Sequence, residues 1–206
     1  MTVSMGDRVA VLVSGSGTNL QALIDEPTLR PHLHLVLADR AAIGALERAD
    51  AAGIPTAIVD PAAYPSRDDF DQAVLDVLQE ALIDVVVSAG YLRVLGKRVL
   101  DVYEGRCLNV HPALLPSFPG MHAVRDALEY GVRVTGVTVH LVDEGTDTGP
   151  IVLQEPVPVR PDDDWDSLEA RIHEVEHRLL PRELRALLDG RLTADGRRVR
   201  LGGEDA

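Results

Sequence analysis

A single cysteine, Cys107, stands among the 206 residues, so no disulfide can form within the chain. Its position inside an apolar run suits a small buried hydrophobe better than a nucleophile. No stretch approaches the roughly 18 consecutive apolar residues of a membrane helix. The opening "MTVSMGDRVAVLVSG" has neither a basic region nor a small-residue cleavage site, so no signal peptide is expected and the cytoplasm is the natural compartment. Positive charge is also scarce: 20 Lys and Arg face 33 Asp and Glu, for a net charge of -13. A nucleic-acid binder would show a basic face, so that class is disfavoured. An anionic small molecule is not excluded, because backbone N–H groups and a few local arginines can hold a phosphate on an acidic protein. Repeats, linkers and a second domain are missing too, and the length suits one domain with a real core.

What the chain does have is alternation of strand and helix patterns. "RVAVLVS" (8–14), "HLVLAD" (34–39), "TAIVD" (56–60), "DVVVSAG" (84–90) and "CLNVH" (107–111) are short apolar runs. Between them lie segments of helical spacing. "AIGALERADAAG" is stopped by Gly53, and Ser66 opens the helix "SRDDFDQAVLDVLQEALI" with Asp69 three residues on. Continuous Val/Leu runs rather than strict alternation predict parallel strands covered on both faces. The fold class expected is α/β, a doubly wound, mostly parallel, Rossmann-like sheet. "RVTGVTVHLVD" (133–143) and "PIVLQEPVPV" (150–159) are joined too closely for a crossover helix, which predicts an antiparallel pair at the sheet edge. A long C-terminal helix follows "PDDDWD", with Trp165, Leu168, Ile172, Val175 and Leu179 at helical spacing; Pro181 should kink or end it. The tail carries a turn signal at Asp195-Gly196 and is expected to fray at its end.

Three motifs could carry chemistry. In "SGSGTN" (14–19), Gly15 and Gly17 permit a tight turn into a helix whose free N–H groups suit a phosphate, although a plain strand-to-helix turn would look the same. "HEVEH" (173–177) matches the zinc-protease pattern, but no convincing third ligand lies downstream, so no metal is expected. In "CLNVH", Asn109 and His111 are two apart in a strand and point the same way at its carboxyl end, where doubly wound folds bind ligands. An amide donor beside a proton-transfer group fits an oxyanion site for acyl transfer, although a lone Asn-x-His is more often structural. Three prolines, Pro112, Pro116 and Pro119, then stiffen the loop as a cleft wall. Asp147 is a plausible carboxylate partner for His111, expected to keep it charged near neutrality. His122 and His140 are candidates to line or support the cleft.

Together these stretches resemble the phosphoribosylglycinamide formyltransferases, the folate-dependent enzymes of purine synthesis. The resemblance runs from about residue 8 to 192 through "VLVSGSGTNLQALID", "ADRAAIGALERADAAGIP", "SAGYLRVL", "LNVHPALLPSFPG", "GVTVHLVDEGTDTGPI" and "EARIHEVEH", in the family's order and spacing. It implies that Asn109, His111 and Asp147 form the catalytic trio. It implies ribonucleotide contacts at Gly15, Ser16, Gly17, Thr18 and Asn19 for the phosphate, and at His173 and Glu176. It implies that the folate side falls on Arg67, on Leu92, Arg93, Val94 and Leu95, on Asn109, and on Val142, Asp143, Glu144, Gly145, Thr146 and Asp147. A single domain would then have a ribonucleotide half (about 8–83), a folate and catalytic half (about 84–192) and a tail (193–206).

The activity implied is transfer of the formyl group of 10-formyltetrahydrofolate, the co-substrate, to the amine of glycinamide ribonucleotide, by a monomer or homodimer without nucleic acid or membrane. Formyltetrahydrofolate deformylase and methionyl-tRNA formyltransferase share this core but normally carry an extra domain, which the chain length disfavours. A non-catalytic folate- or nucleotide-binding relative is the alternative from another class. The intact Asn109, His111 and Asp147 argue against it.

Overall fold

The apolar runs of the first half become five parallel strands in the computed structural model, which describes residues 7–202. They are β1 (Val9–Val13), β2 (Leu33–Ala38), β3 (Thr56–Ile58), β4 (Val85–Ser88) and β5 (Cys107–His111). Between them run α1 (Thr18–Asp25), α2 (Gly44–Ala51), α3 (Arg67–Glu80) and α4 (Lys97–Val102), followed by α5 (Ala123–Tyr130). β6 (Val134–Leu141) and β7 (Ile151–Pro158) precede the long α6 (Trp165–Leu188), and a hairpin of β8 (Leu192–Asp195) and β9 (Arg198–Leu201) closes the described chain. The strand order is β3-β2-β1-β4-β5-β6-β7-β9-β8. The order reverses between β1 and β4, so the crevice at their carboxyl ends is the natural ligand position. No helix among the described residues is long and apolar enough to cross a membrane.

The continuous apolar runs are explained by cover on both faces. Along β1, Val9, Val11 and Val13 enter a core shared with α1, α2, α5 and α6, while Ala10 and Leu12 enter a second core under α3 and α4. Burying one such side chain contributes about 1.5–3 kcal/mol, so both faces hold the sheet. Capping follows the sequence. The Ser66 side chain accepts the Asp69 amide at the start of α3, and Asp164 forms a capping box with Ser167 at the start of α6.

β6 and β7 pair antiparallel, as expected, and the terminal hairpin extends the sheet beyond them: β6 lies between β5 and β7, and β9 pairs with the far side of β7 through Ile151 and Arg198. The turn signalled at Asp195-Gly196 is the turn of that hairpin, where Gly196 at positive φ (56°) begins a two-residue turn of the kind that matches strand twist; the end of the tail, residues 203–206, lies outside the described residues. Finally, α6 does not end at Pro181. Leu179, Leu180, Leu184 and Leu187 are all buried and anchor the helix on both sides of the proline, which outweighs one missing hydrogen bond. Trp165 opens α6 but stays largely exposed.

Candidate active site

The carboxyl ends of β1, β4 and β5 open into a cleft of about 610 Å³. Antiparallel register sets Asn109 of β5 opposite His140 of β6, and His111 opposite Thr138. His140 is buried, with Nδ1 3.0 Å from the carbonyl of Leu141. A carbonyl only accepts, so that nitrogen carries the proton and Nε2 is left as an acceptor. Asn109 Nδ2 lies 2.9 Å from it and donates. The contact orients the amide and leaves its second N–H for the cleft.

His111 is buried, and its Nε2 donates to the carbonyl of Phe118 at 2.8 Å. Its Nδ1 faces Asp147 Oδ2 at 3.4 Å. Burial pushes the His111 imidazole below its usual range and outweighs the opposing pull of Asp147 and the Phe118 carbonyl. The expectation that Asp147 keeps His111 charged near neutrality is therefore corrected: burial wins. Asp147 sits at a left-handed backbone position (φ 54°) in the loop between β6 and β7. Its Oδ2 accepts the Gly120 amide at 2.7 Å, and His140 Nε2 stands 3.7 Å from Oδ1. Burial raises its pKa, but the proximity of His140, the hydrogen bond from the Gly120 amide and the proximity of His111 prevail and hold it at about 2. The proline-stiffened loop thus presents two main-chain groups, one to His111 and one to Asp147.

On the other side of the cleft, Asn19 Nδ2 donates to Glu176 Oε2 at 3.0 Å. Glu176 is buried on α6, and that burial pushes its carboxyl up to about 7, against the hydrogen bond from Asn19. Asn19 Oδ1 is buried with no hydrogen-bond partner among the described residues. His173 Nε2 lies 3.8 Å from Glu176, and its ring stacks on His177. Glu176 therefore turns inward to Asn19, and no group of three His, Cys, Asp or Glu fit to hold a metal is found among the described residues.

The loop before α1 lies at the cleft's margin. Asn19 lines the cleft, whereas Gly15, Ser16, Gly17 and Thr18 do not. The amides of Gly15, Ser16 and Gly17 make no hydrogen bond among the described residues. Arg48, which sequence reasoning missed, brings a guanidinium to the Ser16 carbonyl at 2.9 Å. Gly17 is left-handed (φ 75°), and a Cβ there would stand 2.7 Å from Ala45, so α2 packs against this turn.

Of the expected folate residues, Arg67, Leu92, Arg93, Val94, Leu95, Val142, Gly145, Thr146 and Asp147 line the cleft, as Asn109 and His111 do. Asp143 and Glu144 do not. Asp143 caps the Gly145 amide and the Thr148 hydroxyl, and Glu144 pairs with Lys97 at 3.1 Å. His122 is exposed at the start of α5 and does not line the cleft, although its neighbour Met121 does. Cys107 is buried with its thiol pushed up to about 12, as befits a core residue.

The formyl transferase family model matches residues 7–184. Phosphoribosylglycinamide formyltransferase of Mycobacterium tuberculosis (strain ATCC 25618 / H37Rv) is 47% identical over 197 residues, covering 95% of this chain and 91% of the relative. The human trifunctional purine biosynthetic protein adenosine-3 is 45% identical over 186 residues, and the chain spans only 18% of that longer protein. The crystal structure of glycinamide ribonucleotide transformylase 1 from Symbiobacterium toebii superimposes with a TM-score of 0.91 at 48% identity, covering 94% of this chain and 93% of that one. With a cleft at the switch point of its sheet and similarity along nearly its whole length, the chain belongs to the formyl transferase family and, within it, to the phosphoribosylglycinamide formyltransferases.

Proposed function

We propose that the protein transfers the formyl group of 10-formyltetrahydrofolate to the amine of glycinamide ribonucleotide, giving formylglycinamide ribonucleotide and tetrahydrofolate. The observation that carries this reading is the meeting of Asn109, His111 and Asp147 at one end of the cleft. The neutral amine attacks the formyl carbon, a C–N bond forms, and the carbonyl electrons move to oxygen. The free N–H of Asn109 is a preorganised donor for that oxyanion. His111 Nε2–H is committed to Phe118, so Nδ1 is the nitrogen that exchanges a proton with the reacting atoms. At 3.4 Å, Asp147 is too far for a tight charge-assisted hydrogen bond, which leaves Nδ1 able to change partner. When the bond to folate N10 breaks, the proton lost by the amine is delivered to N10, with His111 and Asp147 as the carriers.

The ribonucleotide phosphate would rest on the free amides of Gly15 to Gly17 beside Arg48, with Thr18 and Asn19 opening α1. A ribose hydroxyl would satisfy the orphaned Asn19 Oδ1 and the Glu176 carboxyl, with His173 alongside. The folate would lie along Leu92 to Leu95 and Val142 to Asp147, with Arg67 at the rim. In this reading residues 8–83 serve mainly the ribonucleotide and 84–192 the folate and chemistry, and the partners are small molecules in the cytoplasm. The test is the absorbance change of 10-formyl folate with purified protein, with and without glycinamide ribonucleotide. Formyl loss only when the ribonucleotide is present is expected; equal loss without it would mean that water is the acceptor.

A further inference from the structure

Asp39 follows directly after β2, and its side chain is completely buried. A buried carboxylate is costly unless donors occupy its oxygens. Arg40 reaches both, from Nε to Oδ1 and from Nη2 to Oδ2, each at 2.9 Å. Arg93 Nε donates to Oδ2 at 3.0 Å. The Ser14 hydroxyl lies beside the carboxylate and favours its charged form, and the same hydroxyl accepts the Leu92 amide at 2.9 Å. Apart from Arg40, its neighbour in the chain, Asp39 therefore grips one segment twice, through the Arg93 side chain and through Ser14 to the Leu92 main chain. That segment, Gly90 to Leu95, is a cleft wall. The two terminal nitrogens of Arg93 make no hydrogen bond among the described residues, so the Nε contact fixes the guanidinium plane and leaves its outer edge free.

We propose that Asp39 is a positioning residue for the folate wall: it holds Leu92 and Arg93 in register without touching either substrate. The proposal rests on the functional reading above, in which this wall faces folate. Asparagine at this position offers one acceptor oxygen and turns an N–H₂ group toward guanidinium donors, so it cannot serve Arg40, Arg93 and Ser14 together.

The test is steady-state kinetics of the full chain carrying Asp39→Asn, Arg93→Gln, both together, or Ser14→Ala. Asp39→Asn should raise the KM for 10-formyltetrahydrofolate about tenfold, the scale of one lost charge-assisted hydrogen bond. The kcat and the ribonucleotide KM should stay within about twofold. The double variant should be no worse than the worse single one, because both act through one contact. Ser14→Ala, which cuts only the relay to Leu92, should give a smaller rise in folate KM and keeps the test available if Asp39→Asn does not fold. An active wild type whose folate KM ignores these substitutions overturns the role of Asp39, as does an equal rise in both KM values. A wild type that forms no formylglycinamide ribonucleotide overturns the functional reading instead.

Discussion

Asn109 carries two amide protons, and His140 takes one of them. The other is the donor assigned to the developing oxyanion, so Asn109→Ala should lower kcat by about 100- to 1000-fold and move either KM far less. Steady-state kinetics check this; a loss confined to KM would make Asn109 a ground-state contact. Glu176 supports a prediction of another kind. Its folded pKa of about 7 lies above the ordinary 4.5, so between these values the folded state keeps a proton that the unfolded chain has lost. That stabilisation is complete below the unfolded pKa and is lost as pH rises through the folded one. Glu176→Gln fixes a neutral side chain, so its Tm relative to wild type should climb between about pH 5 and about pH 8. Thermal melts across that window decide it, and a flat difference would mean that Glu176 titrates normally.

At the scale of elements, the loop between β1 and α1 separates two roles that its glycines could play. Gly17→Val would drive a side chain into Ala45 at a left-handed position, so it should unfold or destabilise the protein whatever the loop binds. Gly15 has open space around its would-be Cβ and no positive φ. Gly15→Ala should therefore leave Tm nearly unchanged while raising the ribonucleotide KM, since a methyl group would crowd the approaching phosphate. Equal weakening of both substrates would assign the loop to the fold alone. The same elements show what could be read in advance. Apolar runs marked β1, β2, β4 and β5 because burial on both faces removes alternation, and the spacing of Asn109 and His111 put them on one side of β5. His140 could be named only as a cleft candidate, because its tie to Asn109 depends on the pairing of β5 with β6. The Phe118 carbonyl and the Gly120 amide left no trace, since main-chain groups are the same at every residue. Pro181 did not end α6, because the local rule lost to leucines buried by tertiary contacts.

Across the whole molecule, every residue assigned to chemistry lies at one rim of the sheet, while the terminal hairpin of β8 and β9 lies beyond β7. A hydrogen bond reaches from the hairpin toward the site: Arg197 Nη1 donates to the Thr148 carbonyl at 2.7 Å, one residue from Asp147. A chain ending at Arg191 should keep its core and most of its kcat, lose some thermal stability, and show a modest rise in folate KM as that loop loosens. Calorimetry and kinetics on the truncated protein test this, and complete inactivity would place the hairpin in the site itself. The ends of the sheet matter in another respect. β3 offers three residues at one end and β8 four at the other. An unpaired ladder that short is a poor template for a neighbouring chain, and the charge of -13 keeps neighbours apart. Native molecules crowded together therefore have little to zip onto, and clumping on heating should begin from chains that have already opened, not from the edges of intact ones.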